Sequence, residues 1–452
     1  MPVSHTENKM PSYKVTYFDI YGLGEPIRML LSYMGVDFED NRVPMGEWSK
    51  MKNTVPFGKL PTLEIDGKTY YQSHAILRML AKEVKLAGDN TSEAYEIDFV
   101  AGTIQDLQAA VAPMWGMQDE KAKEEFLAKV QKEIIPMYFK IWDERAQKNG
   151  GYLANGKLSW VDLLFHGYMN TFEVVVKTKC VDQYAGLKLG REKVSSARGI
   201  KEWIARRPKT NISYLPTVPA RYKLKSGELA VSTPTAISLR ARCGFQHIVN
   251  KMPTYKLTYF DFKGWGEPIR MFLSYMGVDF EDNRIPVEEW DTLKKTIPFG
   301  KLPFLEIDGK TYYQSFAILR MLAKEIELAG DNANEEYEID FIAGTIKDTT
   351  TAPMWRIEDP IAKEESLKKI QTEIIPMYFK LWDERAQKNG GYLANGKLSW
   401  VDIFFHGYMN TFEVGMKTKC VDQYPGVKLG REKVSSAPGI KKWIARRPKT
   451  DL

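Results

Sequence analysis

The sequence predicts two copies of one two-domain unit, each copy a small α/β domain of order βαβ-ββα followed by an all-helical domain. Three observations predict it: a long internal repeat, a change of hydrophobic period within each repeat, and turn chemistry at the joints between segments. YKVTYFDIYGLGEPIRMLLSYMGVDFEDNR, beginning at Tyr13, returns as YKLTYFDFKGWGEPIRMFLSYMGVDFEDNR at Tyr255. The offset is 242 from Met10 and Met252 to Asp106 and Asp348, and 240 from Pro113 and Pro353 to Thr210 and Thr450. The second copy therefore lacks two residues between Asp348 and Pro353. A period this long is no solenoid repeat and describes two whole globular units.

Within the first copy, YKVTYF (Tyr13 to Phe18) alternates and is rich in β-formers, so it reads as a strand. A glycine-containing turn leads to Glu25–Met34, a helix with Pro26 in its first turn, where no N–H is needed. DFEDNRV is extended, and LPTLEIDGKTYY is a hairpin around the Asp66-Gly67 dipeptide. SHAILRMLAKEV closes the α/β part as a helix begun by Ser73. From Glu93 onward the period is helical: Tyr95 to Val111, Ala122 to Gln147, a helix starting at SWVD, and one ending near IKEWIARRP. Ser159 with Asp162, and Ser399 with Asp402, have capping-box spacing. The expected boundaries are 11–87 and 92–210 for the two domains of copy 1, and 253–329 and 334–452 for those of copy 2. Residues 211–251, with Pro216, Pro219, Pro234 and no sustained period, are expected to be a linker. A random coil of that length spans about 35 Å, so the copies can dock on each other or exchange partners between chains.

The chain has 452 residues, 44% hydrophobic and 27% charged, and no apolar run long enough for a membrane span. The first nine residues lack the apolar core of a secretory signal, so a cytosolic location is expected. The net charge of +6 is concentrated: residues 211–251 carry six basic residues against Glu228 alone, leaving the rest nearly neutral. No basic face with interleaved aromatics points to nucleic acid. The three cysteines, Cys180, Cys243 and Cys420, have no metal-ligand or redox spacing, so neither a zinc site nor a disulfide framework is expected.

A tyrosine at the end of the first strand, PFGKLP before the hairpin, Gln-Ser at the next helix start, SWVD in the helical half and the RRPKT tail occur in the same order in both copies. Together they resemble the cytosolic glutathione S-transferases, most closely the sigma class of arthropods. The resemblance covers residues 11–210 and 253–452, and it implies a thioredoxin-like N-terminal domain in each copy.

What the resemblance implies chemically is a site that turns the glutathione thiol, with a pKa of about 8.5, into a thiolate near neutral pH. A neutral hydroxyl donating to the sulfur achieves this by stabilising the charged form. By resemblance the donors are Tyr17 and Tyr259. Gln72 and Ser73, repeated as Gln314 and Ser315, stand at a helix N-terminus suited to the γ-glutamyl carboxylate. Pro61 and Pro303 match the family's cis proline, which leaves Leu60 and Leu302 to pair with the cysteinyl backbone. Trp48, Lys52 and Lys59, with Trp290, Lys294 and Lys301, match positions holding the glycyl end. Asp106 and Asp348 match an acid that reaches the γ-glutamyl amine across a dimer interface. Leu23 and Trp265 replace an arginine frequent in the class, and Gly102 and Gln105 interrupt an acidic cluster that binds a divalent ion in some members, so no metal is expected. Leu23 against Trp265 and Tyr21 against Lys263 fall near the electrophile pocket, so the two sites are expected to differ in substrate. The implied function is transfer of glutathione to small hydrophobic electrophiles, with lipid hydroperoxide reduction and prostaglandin-type isomerisation as further uses of the thiolate. The alternative is a non-catalytic ligand-binding or crystallin-like structural protein; a thioredoxin-like redox role is disfavoured because no cysteine lies near the first strand.

Overall fold

The computed structural model describes residues 11–115, 117, 119–210, 253–350 and 359–450. The expected linker at 211–251 and Cys243 lie outside the described residues. Copy 1 runs β1 (Tyr13–Phe18), α1 (Glu25–Met34), β2 (Glu39–Val43), β3 (Thr62–Ile65), β4 (Lys68–Tyr70) and α2 (Ser73–Glu83). Five helices and a short one follow: α3 (Thr91–Val111), α4 (Glu120–Lys129), α5 (Ile135–Lys148), α6 (Trp160–Val175), α7 (Ala185–Ser196) and α8 (Ile200–Arg206). Copy 2 repeats the order as β5 (Tyr255–Phe260), α9 (Glu267–Met276), β6 (Phe280–Ile285), β7 (Phe304–Ile307), β8 (Lys310–Tyr313) and α10 (Ser315–Glu325). Its helical half comprises α11 (Ala333–Thr350), α12 (Pro360–Lys369), α13 (Ile375–Lys388), α14 (Trp400–Gly415), α15 (Pro425–Ser436) and α16 (Pro438–Arg446).

Each copy has a four-stranded sheet of order β2-β1-β3-β4, repeated as β6-β5-β7-β8. The first two strands are parallel and the other pairings antiparallel, with Tyr17 opposite Arg42 and Tyr259 opposite Arg284. This is the βαβ-ββα order expected, because the crossover through α1 makes the first pair parallel and the Asp66-Gly67 turn folds the last pair back. The segment expected as one helix over Ala122–Gln147 contains a π-helical turn, Val130–Ile134. Pro136 explains it: its ring excludes the ordinary bond pattern one turn upstream, and Ile135 N–H reaches five residues back to Val130. The capping boxes form as expected, and Asp162 also accepts from Leu153 N–H at 2.8 Å, fastening the preceding loop to the start of α6.

The α/β and helical halves are tied by a buried carboxylate. Glu25, at the start of α1, accepts from Trp203 Nε1 at 2.9 Å and Arg207 at 2.5 Å, and pairs with fully buried Arg28. Glu267 takes Trp443 and Arg447 in the same way. The tail motif thus closes each unit on its first helix. Among the described residues no helix is long and apolar enough to cross a membrane.

The two copies pack against each other about a pseudo-two-fold axis, α2 against α11 and α10 against α3. Phe57, held at φ +60° in the turn before β3, stacks on Tyr378 of the other copy at 5.0 Å, and Phe299 sits 5.3 Å from Tyr138. Tyr95 and Tyr337 cross the same boundary, their hydroxyls accepting from the backbone N–H of Tyr313 and Tyr71, both at 2.8 Å. On the axis itself Arg78 bridges Asp98 of its own copy and Asp340 of the other.

Removing the Glu25 carboxylate leaves the Trp203 N–H without an acceptor and the Arg207 and Arg28 guanidinium groups without that counter-charge. Glu25→Ala is therefore expected to cost about 3–5 kcal/mol in urea unfolding followed by circular dichroism. Lys14→Ala, which loses only an exposed pair with Glu39, is expected to stay within about 1 kcal/mol.

Candidate functional site

The strand-end tyrosines are buried, Tyr17 at 7% and Tyr259 at 5% exposure. Trp265 N–H donates to the Tyr259 hydroxyl oxygen at 3.1 Å, and the Leu23 backbone N–H faces the Tyr17 hydroxyl from the equivalent place. With its oxygen already accepting, the hydroxyl has its proton free to donate outward. Burial pushes Tyr259 up to about 12 and also raises Tyr17, with the backbone N–H and the Arg270 or Arg28 guanidinium pulling the other way. Each hydroxyl therefore stays neutral across the physiological range.

The loop after each tyrosine is shaped around its ring. A methyl group on Gly24 would stand 2.7 Å from the Tyr17 ring, and one on Gly266 2.6 Å from that of Tyr259. Gly22 and Gly264 take φ near +44° beside the hydroxyl, a region glycine enters without strain. Their N–H groups donate to Thr171 and Thr411 of the helical halves, at 2.8 and 2.9 Å. The helical domain thus holds the loop that holds the tyrosine.

At the other end of the site, Gln72 and Gln314 precede their helices at φ +66° and +68°, an uncommon conformation for a side-chain-bearing residue. Ser73 and Ser315 open α2 and α10. Gln72 Nε2 donates to Asp348 of the other copy at 2.8 Å, and Lys59 pairs with the same carboxylate at 2.9 Å. Gln314 and Lys301 converge likewise on Asp106, at 2.7 and 2.8 Å. Each acid therefore lies across the axis from the tyrosine it accompanies. The amide side chains reach so far because Gly102 and Gly344 stand where they cross the helices: a methyl group there would lie 2.8 Å from Gln314 or Gln72. Glycine inside a helix costs about 1 kcal/mol relative to alanine, and here it makes room for a residue of the opposite copy.

Leu60-Pro61 and Leu302-Pro303 are both cis. Trp48 packs edge-on against Phe18 at 5.2 Å and Trp290 against Phe260 at 5.3 Å. Lys52 is exposed and lies along Gly58, whereas Lys294 pairs with Asp291. At the copy 2 site, Asp106 of copy 1 together with Lys301, Leu302, Pro303, Gln314 and Ser315 lines one cavity of about 310 Å³. Tyr259, Trp290 and Lys294 are not part of that lining; Tyr259 meets its edge through Trp265.

Trp265 also belongs to an aromatic group with Phe316, Phe404 and Tyr408, the ring centroids 5.1–5.8 Å from its own. The equivalent positions in copy 1 are Leu23, His74, Leu164 and Tyr168. Three of four are smaller or more polar, so the substitutions are coordinated in space as well as in sequence. Cys180 and Cys420 are buried, their thiols pushed up by burial, and take no part in either site. Among the described residues no group of three potential metal ligands occurs.

Sequence reasoning missed Thr171, Thr411, Phe57, Phe299 and the role of Gly102 and Gly344. A glycine inside both copies of an otherwise helical run was a readable signal. Nothing local marks a threonine on a distant helix as a partner of the tyrosine loop. Gly24→Ala and Gly266→Ala are expected to destabilise by about 1–3 kcal/mol in urea titration, the cost of overfilling a packed site. Gly46→Ala, with no atom within 4 Å of the added methyl, is expected to be neutral and serves as the control.

Comparison with known proteins agrees with the repeat. The model of the glutathione S-transferase C-terminal domain matches residues 105–207 and again 348–447. Models of the N-terminal domain match residues 24–83 and 255–324. A glutathione S-transferase of Anopheles gambiae is 37% identical over 203 residues, 45% of this chain and 100% of that protein. Glutathione S-transferase S1 of Drosophila melanogaster is 36% identical over 211 residues, 47% of this chain and 82% of its own length. The human hematopoietic prostaglandin D synthase is 36% identical over 203 residues, 44% of this chain and 100% of that protein. Each relative is accounted for by a single copy, and both domain types recur here, so the chain belongs to the glutathione S-transferase family as a tandem duplication of its unit.

Proposed function

We propose that each copy binds glutathione and transfers it to small hydrophobic electrophiles, with Tyr17 and Tyr259 as the hydroxyls that stabilise the thiolate. The observation that carries this reading is the neutral, buried tyrosine whose oxygen accepts a backbone N–H while its proton remains free to donate. Glutathione loses its thiol proton to solvent, and the tyrosine O–H donates to the resulting sulfur anion. The thiolate attacks the electrophilic carbon and forms the new C–S bond as the leaving group departs with its electron pair. The γ-glutamyl carboxylate meets Ser73 or Ser315 at the helix start, where free N–H groups favour an anion. Its amine meets Asp348 in the copy 1 site and Asp106 in the copy 2 site, beside Gln72 or Gln314. Leu60 and Leu302 pair with the cysteinyl backbone beside Pro61 and Pro303, and Trp48, Lys52, Lys59, Trp290, Lys294 and Lys301 attend the glycyl end.

The same thiolate is the reagent for reducing lipid hydroperoxides and for prostaglandin-type isomerisation, and the pocket beside it decides which substrate enters. That pocket is bordered by Leu23 in copy 1 and by the Trp265 group in copy 2, which supports different preferences at the two sites.

Conjugation of a chloronitrobenzene with glutathione tests the reading. Tyr17→Phe and Tyr259→Phe are each expected to silence one site, and the double variant to fall about a hundredfold, the scale of losing one oriented donor to a developing charge. Glutathione binding without turnover in the wild-type chain, with hydroperoxide and prostaglandin substrates as well, would instead establish the ligand-binding reading. The acids are cross-wired: Asp348→Asn is expected to raise KM for glutathione about tenfold at the copy 1 site, isolated by Tyr259→Phe. Asp106→Asn is expected to act on the copy 2 site, isolated by Tyr17→Phe; a tenfold change corresponds to about 1.4 kcal/mol. Trp265→Leu is expected to bring the electrophile preference of the copy 2 site toward that of copy 1.

A further inference from the structure

The small cavity on the pseudo-two-fold axis, about 40 Å³, is lined by eight residues from each copy that form equivalent pairs. Six pairs are identical, and two differ: His74 with Phe316, and Gln105 with Lys347. The second difference is complementary. Lys347 Nζ donates to the Gln105 side-chain oxygen across the axis and lies over the Phe316 ring at 5.7 Å. A second mismatch borders the axis. Lys82 pairs with Glu336 of the other copy, whereas the position equivalent to Glu336 in copy 1 is Ala94, which offers Lys324 no carboxylate.

We propose that these differences specify heterotypic pairing: copy 1 docks on copy 2 of the same chain, and neither docks on a second copy of itself. In a pairing of copy 2 with copy 2, the place of Gln105 is taken by another Lys347. Two ammonium groups then meet on the axis, in a half-buried site that also holds the Arg320 of each copy beside its Asp340, and like charges at that range oppose association. Asp106 and Asp348 pull the other way, but each carboxylate is already shared by a glutamine and by Lys301 or Lys59, so a second ammonium group adds a charge without adding an acid. In a pairing of copy 1 with copy 1, the axis carries two neutral glutamines, but both Lys82 side chains face Ala94 and lose their acid. The Lys82–Glu336 contact thus counts against copy 1 with copy 1 only, since a pairing of copy 2 with copy 2 would give each Lys324 a Glu336; what excludes copy 2 with copy 2 is Lys347, which finds an amide oxygen only in the mixed pairing. Covalent connection then favours the partner within the chain, because tethering makes the second docking event intramolecular. The arrangement has the logic of coiled coils in which one polar pair on the axis fixes the choice of partner.

The test uses the full chain in sedimentation velocity and thermal unfolding. The wild-type chain is expected to sediment as one species of 51.9 kDa over a wide micromolar range. Gln105→Lys, which places a lysine on both sides of the axis, is expected to lower the melting midpoint by several degrees and to broaden the sedimentation boundary. The exchanged pair, Gln105→Lys with Lys347→Gln, is expected to restore both measurements, because the same two side chains then face each other from opposite copies. Gln105→Glu, which gives Lys347 a carboxylate, is expected to hold or raise the midpoint, and it remains informative if Gln105→Lys fails to fold. The proposal is overturned if Gln105→Lys behaves as wild type, if the exchanged pair stays as impaired as the single variant, if Gln105→Glu lowers the midpoint, or if the wild-type chain sediments at twice the mass. None of these readouts depends on catalysis, so they stand apart from the outcome of the conjugation assay.

Discussion

The organisation of this protein depends on a carboxylate that crosses the boundary between its two halves. Asp348, on the long helix of copy 2, accepts from Gln72 and Lys59 of copy 1, and Tyr378 of its own copy donates to it at 3.4 Å. Asp106 gathers Gln314 and Lys301 in return. One charge thus orders the start of α2, the lysine before β3 and the stacked ring of Phe57 within a few ångströms. A half-chain lacks the acid its own glutamine and lysine face. The carboxylate end of the site is consequently complete only when the copies are docked, and the missing side chains of the glycines at 102 and 344 accommodate residues of the opposite copy.

The tyrosine end is governed by a different constraint, steric exclusion around an aromatic ring. Two glycines close on the ring, and a threonine from the helical half holds the loop between them. Burial keeps the phenol neutral, and a backbone N–H directed into its oxygen leaves only the outward direction for its proton. The proposed role depends on that combination, because an ionised tyrosine would repel a thiolate. The carboxylate end depends on the other copy, whereas the tyrosine end is built wholly within one.

Much of the fold was legible in the sequence because its signals are local. Alternation marked β1, the Asp66-Gly67 dipeptide marked the hairpin, and Ser159 with Asp162 marked the start of α6. The candidate residues come through resemblance, motif by motif, and the structure brings the glutamines, Lys59, Lys301 and the acids together, while Trp290, Lys294 and Tyr259 lie outside the lining of the copy 2 cavity. What escaped was the non-local part. The π-helical turn arises from Pro136 acting one turn upstream, in a run whose hydrophobic period reads as unbroken helix. Thr171 is separated from Gly22 by 149 residues, and no pattern in either segment announces the other. In the sequence Gly102 is only a gap in an acidic cluster; its physical reason is Gln314 of the other copy lying across it.

The coordinated exchange of Leu23, His74 and Leu164 for Trp265, Phe316 and Phe404 carries a consequence for evolution. In an ordinary symmetric dimer every substitution is written twice, so a gain at one pocket is always tied to the same change at the other. A chain that carries both halves in one reading frame escapes that bond. Each pocket is free to change while the shared axis stays intact, and the two pockets are produced in fixed one-to-one proportion from a single message.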